Sequence, residues 1–263
     1  MNSFMKWVGG SALALASVVA MAWTPPADPD PKQILKEARA DARSGQLADA
    51  AAKHRWYHDN VLGLMPSQSG VRMSFALSDW YALAKRYEPA RRDFVAARDA
   101  TAANVKLGGY RLEPAFRDLA TMNERLADWK STRDAFADVA TQDEQLARVL
   151  VDSALPALVQ LDDYALAARF LDVERMQKRS SELLRTLLEP RPGRGPITRE
   201  EQASSVQYID HQTAQMVLTL VRVGRMEEAH AALARLKKAV GEAGTTPISD
   251  AALAGRKPDG ALY

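Results

Sequence analysis

The sequence predicts an all-α fold built from antiparallel helix pairs, and three observations carry that expectation. From Pro31 to about Val240 the chain is rich in Ala, Leu, Arg, Glu and Asp, and most Pro and Gly fall between periodic segments. No stretch sustains the apolar/polar alternation of a half-buried strand. A small residue followed four positions later by a large one recurs along the chain. Anchoring on Ala50, Ala90, Thr132, Ala167 and Ala229 gives steps of 40, 42, 35 and 62 residues.

The residues before this region read as a processing segment. MNSFMKWVGGSALALASVVAMA carries one positive charge at Lys6, a small-residue apolar run from Val8 and a closing Ala20-Met21-Ala22, which together predict a cleavable signal peptide over residues 1–22. A spanning helix needs about 20 strongly apolar residues. This run is shorter and rich in Ala, Gly and Ser, so no stable membrane span is expected after cleavage. An uncleaved N-terminus holding the chain at an inner membrane is the alternative. Residues 23–31 are a Pro/Asp-rich lead into the mature chain. The absence of cysteine excludes a disulfide framework and thiolate chemistry, and no Asn-x-Ser/Thr sequon follows residue 22. An exported chain of this kind points to a periplasm. A net charge of +2, with Lys and Arg interspersed among Asp and Glu, argues against a nucleic-acid partner.

The elements follow from the anchors. In the first unit Leu47, Ala50, His54, Tyr57 and Val61 form a 3-4-3-4 stripe, the core face of an amphipathic helix. Leu77, Ser78 and Tyr81 precede Ala90 and Phe94 in the second. Phe116, Leu119, Ala120 and Asn123 precede Thr132 and Phe136 in the third. The fourth has Val151, Ala154, Leu155 and Leu158 before Ala167 and Leu171, with Pro156 placed early in its first helix. The long step that follows holds an insertion or extra helix near 174–200. Its helix should run to about Leu188, a Pro/Gly/Arg loop should follow, and a Thr198–Glu201 capping box should start the next helix. The last unit has Met216, Val217, Leu220 and Gly224 before Ala229 and Leu233. Residues 241–263, with few large apolar side chains, are expected to be loosely ordered.

Over 32–240 these units resemble the tetratricopeptide repeat, whose pattern is W-x2-L-G-x2-Y…A-x3-F…P. The second unit matches as Leu77-Ser78-x2-Tyr81 and then Ala90-x3-Phe94. Phe116-x2-Leu119-Ala120 with Thr132-x3-Phe136 matches in the third, and Met216-Val217-x2-Leu220 with Ala229-x3-Leu233 in the last. Ser74 stands where the family has Trp, Asn123 where it has Tyr, and Leu155 and Val217 where it has a small residue. The resemblance implies an α-solenoid, in which stacked pairs bury a continuous core that one pair cannot build alone. It also implies a groove lined by first helices, here Arg72, Phe75 and Asp79, then Arg117, Glu124 and Arg125, then His211 and Arg222. Such a groove would take a protein or peptide, because Arg presents forked donors to carboxylates and carbonyls. The same residues also suit solvated helix faces.

Catalytic signatures are missing. No HExxH, GxSxG, Walker-type loop or GxGxxG occurs. Two of the four histidines sit in KHRWYHDN, at His54 and His58, about 40° apart on a helix. That spacing admits a shared ion, but a zinc site needs a third protein ligand. Core packing of both rings is therefore the expectation, with no metal, cofactor or catalysis of its own. His230 should point off the packing stripe. Trp56 faces away from the histidines, either packed on an adjoining unit or presented as an outer aromatic anchor. The alternative function is a small-molecule-binding protein or hydrolase with a pocket on the inner curve of the array.

Overall fold

The computed structural model describes residues 23–189 and 196–259, so the expected signal peptide lies outside the described residues. Every regular element among those residues is helical. The order is α1 (Pro31–Ser44), α2 (Leu47–Leu64), a 3-10 turn (Pro66–Gln68), α3 (Ser69–Val71), a π-helical turn (Arg72–Ala76), α4 (Leu77–Ala84), α5 (Glu88–Leu107), α6 (Leu112–Leu126), α7 (Trp129–Gln142), α8 (Glu144–Gln160), α9 (Tyr164–Phe170), α10 (Val173–Leu188), α11 (Arg199–Arg222), α12 (Met226–Val240) and α13 (Pro247–Leu253), with 3-10 turns at Gly109–Arg111 and Gly241–Ala243.

Short polar side chains set the helix starts. Asp30, Asp128, Asp143, Asp163 and Asp172 each accept a first-turn backbone N–H of the helix they precede. Thr198 and Glu201 form the reciprocal capping box expected from the sequence. At the other end of α1, Gly45 adopts φ 87°, the left-handed C-cap conformation glycine enters without strain.

Consecutive helices pack in pairs: α1 with α2, α4 with α5, α6 with α7, α8 with α9 and α11 with α12. The first helices also touch along the chain, α6 against α8 and α8 against α11. All five anchors, Ala50, Ala90, Thr132, Ala167 and Ala229, are buried, because a small side chain lets the two backbones of a pair approach. Phe94 and Phe136, four residues on from their anchors, fill the space beside that contact. Trp80 and Tyr81 lie against Phe94, and Phe170 and Phe116 against Phe136. The principal core runs from α5 through α13.

Two departures from the repeat pattern turn out to be one device. Asn123, fully buried, donates from Nδ2 to Thr132 Oγ1 at 3.0 Å and accepts from Arg98 at 3.0 Å. An amide where an aromatic is usual is thus satisfied by a hydroxyl where an alanine is usual, as a buried polar group requires.

Two expectations are corrected. Residues 241–259 are not loose: α13 packs on α11, its Ala252 is fully buried, and Asp210 of α11 accepts from the Ile248 and Ser249 backbone N–H groups, both at 2.9 Å. A carboxylate from another helix caps the terminus, which is why few large apolar residues suffice. Residues 260–263 lie outside the described residues. Pro156 falls late in its helix, since Asp143 starts α8 well before Val151. The long step after Ala167 holds α10, which ends at Leu188 and packs on α11 and α12.

Candidate functional site

KHRWYHDN resolves into a buried charge network. Arg72, on the π-helical turn, donates from Nε to the His58 carbonyl at 2.8 Å and pairs through Nη1 with Asp118 of α6 at 2.7 Å. Its Nη2 lies 3.0 Å from His58 Nε2. Arginine can only donate, so His58 Nε2 is the acceptor and its lone pair is not free for a metal. Burial, reinforced by the Arg72 charge, lowers the His58 pKa to about 3. Burial lowers that of His54 to about 4, and its Nε2 has no hydrogen-bond partner among the described residues. Both imidazoles are therefore neutral at pH 7. Among the described residues no group of three or more His, Asp or Glu could hold a metal ion.

The groove residues separate into three sets. Arg72 and Arg125 are interior, a correction to their groove placement: the first ties the π-helical turn to α6 and the second reaches Ser78 Oγ at 3.2 Å. Asp79 pairs with Arg39 of α1 at 2.6 Å, so it ties the first two pairs together.

Phe75, Arg117 and Glu124 form the second set. Phe75 is 69% exposed while Arg72 and Ala76 of the same turn are buried. Arg117 pairs with Glu113 at 2.8 Å and its charge also acts on Asp152 of α8. Asp152 takes Arg175 and Arg179 of α10 at 3.1 and 3.3 Å. Burial raises the pKa of Asp152 against those cations, and raises that of Glu124 against Arg125. Burial also raises the phenol pKa of Tyr208, helped by the nearby Glu124, while its hydroxyl accepts from Gln212 at 2.7 Å. Carboxylates of α6 and α8, guanidiniums of α6 and α10 and a phenol of α11 thus share one electrostatic face. Asp118, Asp152, Arg175, Arg179 and Tyr208 were not singled out from the sequence. A lone Asp in the apolar run of α8, and two Arg four apart in α10, were the signals present.

His211 and Arg222 form the third set, and the chain itself occupies them. His211 Nε2 lies 2.7 Å from the Asp259 carbonyl, and Arg222 donates to the Gly255 carbonyl at 2.9 Å. Trp56 is half-buried, packed against the cluster of Leu35, Tyr57, Val61 and Ala76, with Trp23 edge-on at 6.2 Å. His230 is exposed, off the packing stripe. Compared with family models, curated proteins and solved structures, the chain matches none of them.

Proposed function

We propose that this chain is an exported, tetratricopeptide-like α-solenoid that binds a protein or peptide partner in the bacterial envelope and carries no catalysis of its own. Phe75 is the observation that carries the reading. A π-helical turn, a feature frequent at functional sites, holds an aromatic out in solvent while its neighbours Arg72 and Ala76 are locked into the core. One turn further on, Ser78 meets Arg125 of α6, the helix that also supplies Arg117 and Glu124. An exposed aromatic anchor, together with a face of both charge signs on α6, α8 and α10, suits an extended polar segment.

A photo-crosslinking phenylalanine analogue placed at position 75, and separately at the exposed His230 of α12, tests this in cells. One discrete adduct from position 75 and none from position 230 is expected. Equal, diffuse labelling from both would overturn the proposal. Osmotic-shock release of a chain beginning at Trp23 is expected for the envelope location, and retention of the full-length chain in the membrane would favour the anchored alternative.

A further inference from the structure

The chain beyond α13 makes contacts of a kind receptors make to peptides. At the end of α13 Gly255, with φ 80°, closes a Schellman-type turn: Arg256 N–H bonds the Ala251 carbonyl and Gly255 N–H the Ala252 carbonyl. The chain then leaves the helix without regular structure and runs back along α11. Three carbonyls of this strap, those of Gly255, Pro258 and Asp259, are bound by side chains, Arg222, Gln160 and His211 respectively, at 2.9, 3.1 and 2.7 Å. His211 Nε2 must carry the proton there, because a carbonyl only accepts. Pro258 is buried, while Arg256 and Asp259 are exposed.

The side that receives the strap is built and oriented. Lys257 pairs with the Asp162 carboxylate at 2.7 Å and donates to the Gln160 carbonyl at 3.3 Å. Asp162 sits in the left-handed region at φ 58°, a conformation disfavoured outside glycine that clusters at ligand clamps. Tyr164 donates to the same carboxylate at 2.7 Å, and Arg222 lies over the Tyr164 ring at 5.8 Å. Contacts to backbone carbonyls would accept any extended segment, whereas Asp162 and the site that buries Pro258 select a cation followed by proline. Proline also favours the extended conformation of the residue before it.

We propose that the α8–α11 edge is a peptide site for an extended Lys-Pro segment of a partner protein, and that residues 255–259 of this chain fill it in cis. The site shares no residue with the face that carries Phe75, so either proposal can fail without the other. A tethered segment acts at an effective concentration in the millimolar range, so a partner segment binds only when it competes with the strap or the strap is released.

The test uses the full-length chain and a fluorescein-labelled, end-capped peptide of residues 253–259. The strap variant Lys257→Glu/Pro258→Gly loses the Asp162 ion pair and the buried proline ring, so its own strap competes less well for the site. Circular dichroism matching the unchanged chain establishes that the variant is folded. The peptide is expected to bind the strap variant at least tenfold more tightly than the unchanged chain. Adding Asp162→Asn, which removes the carboxylate that pairs with Lys257, should abolish that binding. A folded strap variant that does not bind the peptide overturns the proposal, as does one that binds the Lys257→Glu peptide equally well before Asp162 is changed. An unchanged chain that dimerises and is dissociated by the peptide would assign the site to strap exchange between copies, overturning a separate partner.

Discussion

Asn123 holds three helices with one side chain. Its amide bridges Arg98 of α5 and Thr132 of α7 from a fully buried position on α6, and Arg98 continues to Asp128 at 2.7 Å. Thr132→Ala leaves a buried amide donor without its acceptor, which typically costs about 1–3 kcal/mol. Asn123→Ala strands the Thr132 hydroxyl and an Arg98 donor, with a cost in the same range. The double substitution removes both sides of the bond, so urea denaturation should show a coupling of roughly 0.5–3 kcal/mol between the two sites. Strict additivity would show that the bond contributes nothing. Each residue alone reads in the sequence as a lapse from a pattern. Their complementarity lies in a contact between two helices, which one-dimensional spacing does not encode.

At the scale of elements, what was legible is what is local. The anchor and the large residue four positions later act within one helix, so the five anchors, the capping box and the end of α10 could be read directly. Interactions between distant helices were not: Asp118 lies 46 residues from Arg72, and Asp152 lies 23 from Arg175. The strap was less legible still, because three of its contacts are made to backbone carbonyls, which carry no residue identity. For the same reason α13 passed as a loose tail. Its hold on the fold is the buried Asp210, which accepts two of its first-turn N–H groups, while the Ser249 hydroxyl donates to the Asp210 carbonyl at 3.0 Å. Asp210→Ala leaves those N–H groups orphaned and is expected to destabilise the chain by about 2–3 kcal/mol. Hydrogen exchange should show lost protection confined first to residues 247–253, and unchanged protection there would refute the role of Asp210.

Across the whole molecule the neutral histidines make stability depend on pH. The folded pKa values of about 4 for His54 and about 3 for His58 lie below the ordinary 6.5, so the unfolded chain binds more protons throughout the interval between them. Stability then rises with pH. The contribution is complete above pH 6.5 and is lost as pH falls towards 4, at about 1.4 kcal/mol per pH unit for each ring. Asp118, Glu124 and Asp152, whose pKa values are raised by burial, act in the opposite direction at the acid end of that window. Unfolding free energy measured by urea should fall by roughly 4 kcal/mol between pH 7 and pH 5. His54→Gln/His58→Gln should flatten the profile over that interval, and an unchanged slope would assign it to other groups.

The Trp80 ring lies 5.2 Å from that of His58 and 5.1 Å from that of Phe94, fully enclosed. The fold therefore carries its own optical gauge. An indole in so apolar a setting emits towards the blue, and a neighbouring imidazolium quenches it. With the other four tryptophans replaced by phenylalanine, acid titration of the emission reports when His58 takes up its proton, and the wavelength tells whether the helices around it have parted by that stage.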